Sequence, residues 1–380
     1  MIVILLGGLG FQARAEYMSI GVMTDQEVTS IVVTPDEGSY FVFADGVKIL
    51  EVSSTSILQL TLHDQKVKLR LFDKDMGSFR NIMFLSDHGD NSLRVKAVFP
   101  DLDVRVYDDH LQVAAGAKSL MLINKVELEN YVAGVVEAEV GYKAHPEFLK
   151  VQAILARTYA LSHAVRHKAD GYELCDRVHC QAYKQKSRHY SILKAVIETH
   201  GMVLIDDHVQ LITAAFHSNC GGQTSNSEDV WLTSKSYLRS VVDTFCTTGT
   251  RHSQWRREVN KSDWVRYLKT HQESPVTKEC LDSVAVCFPQ DERQVVYAGV
   301  DIPLKDIRND WNLKSTFFSV NEEGETIVLT GRGYGHGVGL CQEGAMRMAL
   351  YGKSFKDILH YYYEGINIVS IEALKFFLED

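Results

Sequence analysis

The sequence predicts an α+β protein, a β-rich N-terminal region followed by a mixed α/β region with a substrate groove. Three observations carry this. Residues 16–122 alternate apolar and polar side chains at period two, interrupted by turn dipeptides. Near Asn124 the spacing changes to apolar residues three and four apart, the signature of a helix. Late in the chain a β-branched run, 326–329, passes through five glycines at alternate positions, Gly331 to Gly339, into a helical run at 343–351. Composition agrees with a folded protein: of 380 residues, 45% are hydrophobic and 23% charged, enough for a sizeable core. The formal net charge of −9, without a basic block, gives a nucleic-acid partner no electrostatic footing and leaves a neutral polymer such as a glycan compatible.

Residues 1–15 read as a signal peptide. An apolar run, 2–9, precedes Ala13-Arg14-Ala15, a small-x-small cleavage site before Glu16. The mature chain is therefore expected to be exported, with the membrane involved only through this segment; no second run of 18 apolar residues occurs. Residues 16–92 form the β-rich accessory region. Runs 40–43 and 47–52 flank Ala44-Asp45-Gly46, a hairpin signal, and Leu58, Leu60, Leu62 and Val67, Leu69, Leu71 alternate around Asp64-Gln65. Runs 104–106 and 111–113 continue the pattern.

Residues 93–380 form the second predicted domain. Helical spacing over 126–136, with Asn124 as N-cap, leads into a predicted loop at 137–141. Pro146 suits a first helical position, and a long helix is expected over 147–167. Arg157 falls within it, beside an alanine- and leucine-rich face, so it either snorkels out or pairs in the interior. A polar loop, 168–190, precedes a short helix at 191–200 and strands that turn at Asp206-Asp207. A strand beginning at Ala214 ends in the turn Gly221-Gly222; 245–300 shows no resolvable pattern. A helix over 304–311, paired strands at 317–320 and 326–329, and a closing helix over 355–363 that stops at Gly365 complete the chain.

Three places offer chemistry. Glu139 lies at an element boundary between Ala138 and Val140, where partial desolvation raises a carboxyl pKa into the range of a general acid; Glu137 is its competitor, and a solvated glutamate is the plain alternative. Cys175, His179 and Cys180 in a short polar loop suggest a structural zinc site, with His167 the nearest fourth ligand and His163 and His189 behind it; a disulfide or free thiols are the alternative. His217-Ser218-Asn219-Cys220-Gly221-Gly222 offers either a thiol nucleophile or the polar lining of a groove. The alternate glycines require something to approach closely, another backbone or a flat ligand. Cys280 and Cys287, from a total of seven cysteines, are near enough in sequence to suggest a bridge across a small loop.

Taken together these blocks resemble the SpoIID/LytB domain family, stage II sporulation protein D and amidase-enhancer relatives. The matching residues are 131–136 followed by Glu139, then Lys150-Val151-Gln152-Ala153 with Ala156-Arg157-Thr158-Tyr159-Ala160, and Cys175-Asp176 with His179-Cys180-Gln181-Ala182-Tyr183. His217 to Thr224, Tyr237-Leu238-Arg239-Ser240-Val241, the glycine stretch ending Gln342-Glu343-Gly344-Ala345, and Ile358-Leu359-His360-Tyr361-Tyr362 follow in family order from about residue 93 onward. The chain departs from the family where proline-serine and methionine-proline often flank the acid; here Glu137-Ala138 and Val140-Gly141 stand. Cys341 replaces a frequent serine, a change expected to matter little.

The resemblance implies a peptidoglycan lytic transglycosylase that cleaves the β-1,4 MurNAc–GlcNAc bond with Glu139 as single acid and base. It implies a metal loop at Cys175, His179 and Cys180, holding a structural zinc. It implies glycan-binding roles for Arg157, Tyr159, His217, Ser218, Asn219, His336 and Gln342, with the glycine stretch as a groove wall. The family's enhancer branch implies an alternative: a peptidoglycan-binding protein, without activity of its own, that acts on a separate cell-wall amidase. A zinc hydrolase is weaker, because no H-E-x-x-H-like base accompanies the cysteines. The expected location is periplasmic or cell-wall associated.

Overall fold

The computed structural model describes residues 16–87, 90–272 and 277–378, and the predicted signal peptide lies outside them. Both helices and strands are abundant, and the N-terminal region is β-rich, as the alternation predicts. The helices are α1 (Leu128–Val140), α2 (Pro146–Ser162), α3 (Tyr190–Glu198), α4 (Ser227–Trp231), α5 (Lys261–His271), α6 (Lys278–Val286), α7 (Leu304–Asp310), α8 (Gln342–Leu350), α9 (Phe355–Tyr362) and α10 (Ile371–Leu378). Among the described residues no helix is long and apolar enough to cross a membrane. The chain forms two compact units. The first takes the chain up to Gly141 together with 163–193; the second takes 142–162 and 194 onward.

In the first unit a seven-stranded sheet runs through Leu174–Cys175, Tyr17–Val22, Leu120–Glu127, His110–Ala115, Asn81–Ser86, Tyr40–Ala44 and Val47–Val52. A six-stranded sheet runs through Arg105–Asp108, Ser92–Phe99, Ser30–Glu37, Leu58–His63, Lys66–Leu71 and Lys74–Phe79. The apolar half of each alternating strand is buried: Tyr40, Val42, Ile82, Phe84, Leu111 and Val113 from one sheet, Ile31, Val33, Leu58, Leu60 and Leu69 from the other. Asp45 and Gly46 both take positive φ, +48° and +86°, the two-residue turn that the strand twist favours.

Asn124 is not a helix cap. It lies in the strand Leu120–Glu127, buried, and donates its side-chain amide to Asp108 O and His110 O at 2.8 and 2.9 Å. Tyr183 Oη donates to its Oδ1 at 2.9 Å. Helix α1 starts four residues later, after Glu127, and runs through 137–140, where a loop was expected. Without a proline between 137 and 141, nothing stops the helix before Gly141, whose φ of +71° ends it. Gly134, inside α1, admits the Tyr183 ring; a Cβ there would lie 2.5 Å from Tyr183 and 2.6 Å from Gln185 O.

In the second unit α2 ends at Ser162, shorter than predicted, and packs against the strand Met202–Ile205 and helices α8 and α9. Residues 245–300, featureless as sequence, supply half of a separate layer. Trp255–Asn260, Thr326–Gly331, Phe318–Glu323 and Cys287–Phe288 form a four-stranded sheet whose core includes Trp264 of α5, Ala285 of α6 and Tyr297. Trp264 is fully buried and donates its indole N–H to Ala285 O at 3.1 Å. Of the expected Cys280–Cys287 bridge, Cys287 carries a free, exposed thiol, and the Cys280 side chain lies outside those described.

Candidate active site and metal-ligand cluster

Glu139 occupies the last turn of α1, half-buried. Its Oε1 accepts a hydrogen bond from the Ala182 N–H at 3.0 Å. Burial pushes its carboxyl pKa up, opposed only in part by that N–H. Its competitor Glu137 has a different setting: Oε1 lies 3.6 Å from His189 Nε2, and Oε2 is buried without a hydrogen-bond partner. A carboxyl whose proton is favoured by desolvation is equipped to donate that proton.

The Ala182 N–H comes from a loop built around four donors. The side chains of His167, Cys175, His179 and Cys180 place one ligand atom each within 4.8 Å of one another. Cys175 Sγ and Cys180 Sγ lie 3.9 and 3.7 Å from His179 Nδ1. The edges of a zinc tetrahedron with two sulfurs and two nitrogens are roughly 3.3–3.8 Å from the usual bond lengths. Two further observations fit a metal. His167 Nε2 is buried without a hydrogen-bond partner, and its Nδ1 is held by Asp170 Oδ2 at 2.8 Å, the carboxylate–histidine arrangement that orients metal ligands. Burial pushes the Cys180 thiol up to about 11, a cost that a bound cation would reverse.

The loop is fastened on its other side as well. Leu174–Cys175 pairs in parallel with the strand Tyr17–Val22, and Asp176 accepts from Met23 N at 2.7 Å and from Arg105 at 3.0 Å. Gly21 leaves room for the Tyr172 ring, which stacks on His167 with centroids 5.1 Å apart. Cys180, Gln181 and Ala182 are consecutive, and Gln181 accepts from Tyr131 Oη of α1 at 3.3 Å. The four-donor cluster is therefore two residues from the N–H that holds Glu139.

The remaining predicted site residues lie in the second unit. Arg157 is fully buried and donates to Met202 O at 2.9 Å, so it settles in the interior and does not snorkel; beside it Thr158 Oγ1 accepts from Leu204 N. Tyr159 is half-buried on the same helix. His217 is buried, with Nδ1 3.1 Å from Val338 O and Nε2 without a partner; burial pushes its pKa well down. His336 packs beside it and uses both nitrogens internally, Nε2 with Phe216 O at 2.9 Å and Nδ1 accepting from Val338 N at 3.0 Å. Asn219 donates to Glu343 Oε2 at 2.6 Å and accepts from Gly221 N at 2.7 Å. Ser218 O accepts from Glu343 N, and Gln342 Nε2 is buried without a partner.

The alternate glycines make room for the protein's own chain. A Cβ on Gly333 would lie 2.6 Å from Asn219 O, on Gly335 2.9 Å from His217, and on Gly339 2.2 Å from Ala215 O. Gly333, Gly335, Gly337 and Gly339 all take positive φ, between +71° and +116°. Of the two occupants that the glycines permit, another backbone and a flat ligand, the first is present: the segment 215–225 lies against them, with Phe216–His217 pairing in parallel with Leu340–Cys341. Gly333 to Gly339 thus pack against the protein's own segment 215–225, and Gly331 against the Trp255 ring.

Sequence reasoning missed two groupings. Glu343 binds Asn219 and, through Oε1, His252 Nδ1 at 2.7 Å. Cys220, Asp243, Cys246 and Cys341 also converge, each fully buried, with ligand atoms within 4.8 Å. Cys341, which stands where a serine is frequent in the family, is one of these four.

The chain thus joins a half-buried acid to a loop with a four-donor cluster. Comparison with known proteins places it further. Residues 116–205 match the family model of stage II sporulation protein, SpoIID. The chain is 33% identical over 274 residues to stage II sporulation protein D of Bacillus amyloliquefaciens, covering 66% of this chain and 76% of the relative. The corresponding protein of Bacillus subtilis (strain 168) is 33% identical over 274 residues, covering 66% and 77%. An amidase enhancer of Bacillus subtilis (strain 168) is 26% identical over 288 residues, covering 62% of this chain and 40% of the relative. The chain belongs to the SpoIID family.

Proposed function

We propose that this protein is an exported, periplasmic or cell-wall-associated peptidoglycan lytic transglycosylase in which Glu139 is the single acid and base. The observation that carries the reading is the setting of Glu139: half-buried, held by one N–H, and shifted toward its protonated form at the end of α1. The protonated carboxyl gives its proton to the glycosidic oxygen as the bond from C1 of the muramic residue breaks. The resulting carboxylate takes the proton of that sugar's C6 hydroxyl while O6 bonds to C1. The proton lent is the proton recovered, no water is consumed, and the product ends in a 1,6-anhydro ring. A hydrolase would need a second carboxylate to deliver water or to act as nucleophile. Glu137, the nearest alternative, faces His189.

In this reading His167, Cys175, His179 and Cys180 hold a structural zinc, which when bound supplies rigidity to the loop carrying Ala182. For the glycan we propose Tyr159, His217, Ser218, Asn219 and Gln342, with the unspent Nε2 atoms of His217 and Gln342 foremost among them; Arg157 and His336, whose polar atoms are engaged inside the fold, support the fold behind them. A second reading is favoured by one specific finding, the similarity to a protein named amidase enhancer: the chain would bind peptidoglycan and stimulate a separate amidase. Mass spectrometry of purified strands after incubation separates the two. Anhydro-muramic ends that vanish with Glu139→Gln support the lyase. Reducing ends, or no products, defeat it, and stimulation of an amidase without products of its own supports the second reading.

A further inference from the structure

We propose that Cys220, Cys246, Cys341 and Asp243 form a second metal site, taking one zinc-type divalent cation in the second unit. The argument rests on geometry and on donor chemistry. Their four ligand atoms lie within 4.8 Å of one another, and all four side chains are fully buried. Cys220 Sγ is 3.3 Å from both Cys246 Sγ and Asp243 Oδ2. The edges of a tetrahedron with three sulfurs and one oxygen are roughly 3.5–3.8 Å from ordinary zinc bond lengths, so a small outward movement completes the coordination. The sulfurs are well short of a disulfide, whose bond is about 2.05 Å.

Backbone donors point at one of these sulfurs. Cys341 caps the N-terminus of α8, and its sulfur accepts from Gly344 N and from Cys220 N, each at 3.3 Å. Neutral thiols in a core behave as small hydrophobes and need no such donors. Asp243 is held in place by Phe245 N on one oxygen at 2.9 Å and by Tyr362 Oη on the other at 2.9 Å. Such outer contacts orient metal ligands. Gly344 keeps the space clear, since a Cβ there would lie 2.2 Å from Asp243 Oδ2 and 2.3 Å from Tyr362 Oη. Arg293 donates to Cys220 O at 2.7 Å and sets a positive charge beside a cluster that would remain negative after binding one divalent cation. Three neutral thiols around a buried carboxylate leave the carboxylate without a counter-charge inside the cluster; a cation among them supplies it.

The consequence is structural. Cys220 lies in the turn before Gly221-Gly222, Cys246 ends the short helical turn Thr244–Cys246, and Cys341 precedes α8. One ion would tie together three segments spanning more than a hundred residues, in the same segment that packs into the glycine stretch. This site is independent of the His167 cluster and of the proposed lyase activity.

The test is metal analysis of the full chain, purified without chelator and supplied with zinc. Cys341→Ser and Cys246→Ser should each lose one equivalent of zinc relative to the unmutated protein, and His167→Ala should retain that equivalent. Should the serine variants fail to fold, zinc-edge X-ray absorption of the unmutated chain decides. Two filled sites give five sulfurs among eight ligands, and the second site alone gives three sulfurs and one oxygen. A zinc content unchanged by Cys341→Ser, or a shell of two sulfurs and two nitrogens only, overturns the proposal. So does a Cys220–Cys246 disulfide in the purified protein, seen as a cross-linked peptide and a mass about 2 Da below the reduced chain.

Discussion

Replacing Gly134 by alanine tests how α1 and the loop that serves Glu139 are fitted together. In an unobstructed helix interior the change would stabilise by about 1 kcal/mol, from helix propensity alone. Here the added methyl meets the Tyr183 ring at 2.5 Å and the Gln185 carbonyl at 2.6 Å. Overpacking of this kind costs about 1–3 kcal/mol, and the upper half applies because one obstacle is backbone. Tyr183 cannot swing away cheaply, since its hydroxyl is held by the buried Asn124. The net expectation is a loss of about 1–2 kcal/mol for the first unit. All four tryptophans, 231, 255, 264 and 311, belong to the second unit, so fluorescence would miss the change. Hydrogen exchange of α1 amides, or tyrosine near-UV circular dichroism in urea, reads it. The clash also displaces Ala182, one residue before Tyr183, and with it the N–H on Glu139. A variant as stable as the unmutated chain, or more so, would refute the fitted arrangement of helix and loop.

Other outcomes follow from the same geometry. Glu139→Gln should abolish strand cleavage yet raise stability at neutral pH. Burial lifts the folded-state pKa of this carboxyl above its ordinary 4.5, so the ionised form costs stability above that value; the gain on substitution should shrink to nothing in denaturation curves below about pH 4.5. By the same sign, cleavage by the unmutated protein should fall as pH rises through the folded-state pKa. Asp170→Asn should weaken zinc at the His167 cluster by about 10–100-fold in competition with a chromogenic chelator, and equal affinity would remove Asp170 from that role. Gly339→Ala should destabilise by about 2–5 kcal/mol, combining the positive φ with a methyl 2.2 Å from Ala215 O; lost glycan binding with intact stability would restore the groove reading. Trp264→Ala should cost about 3–5 kcal/mol in fluorescence-monitored urea unfolding.

The strands of the first unit were legible because one side of each is buried, and burial on one face writes period two into the chain, as in Leu58, Leu60 and Val67, Leu69. Glu139 was legible as a candidate from its neighbours, but its helical setting was not: the loop predicted at 137–141 holds no proline to stop α1 before Gly141. Asn124 looked like a cap because its residue type caps helices; its partners, Asp108, His110 and Tyr183, lie 14 to 59 positions away and leave no local trace. The layer around Trp264 was hidden for a similar reason, since its core is assembled from α5, α6 and the distant strand Phe318–Glu323. The His167 cluster could be read because four ligands fall within fourteen residues. The cluster at Cys220 could not, because its ligands are separated by 23, 3 and 95 positions in turn.

Neither compact unit is a continuous piece of chain. The first is closed only by 163–193, which brings the loop that holds Glu139, and the second claims α2 from between them. During synthesis, α1 therefore leaves the ribosome before the residues that give the Glu139 carboxyl a partner exist. A nascent chain ending near residue 141 would present a sheet-bearing fragment with an unsupported acid, and an expression fragment cut at 194 would strand α2 without the Met202–Ile205 strand that satisfies Arg157. Fragment libraries and split-protein designs for this chain should thus yield active material only when both crossings are kept intact, and deletion mapping by truncation would attribute lost activity to whichever piece happened to be removed.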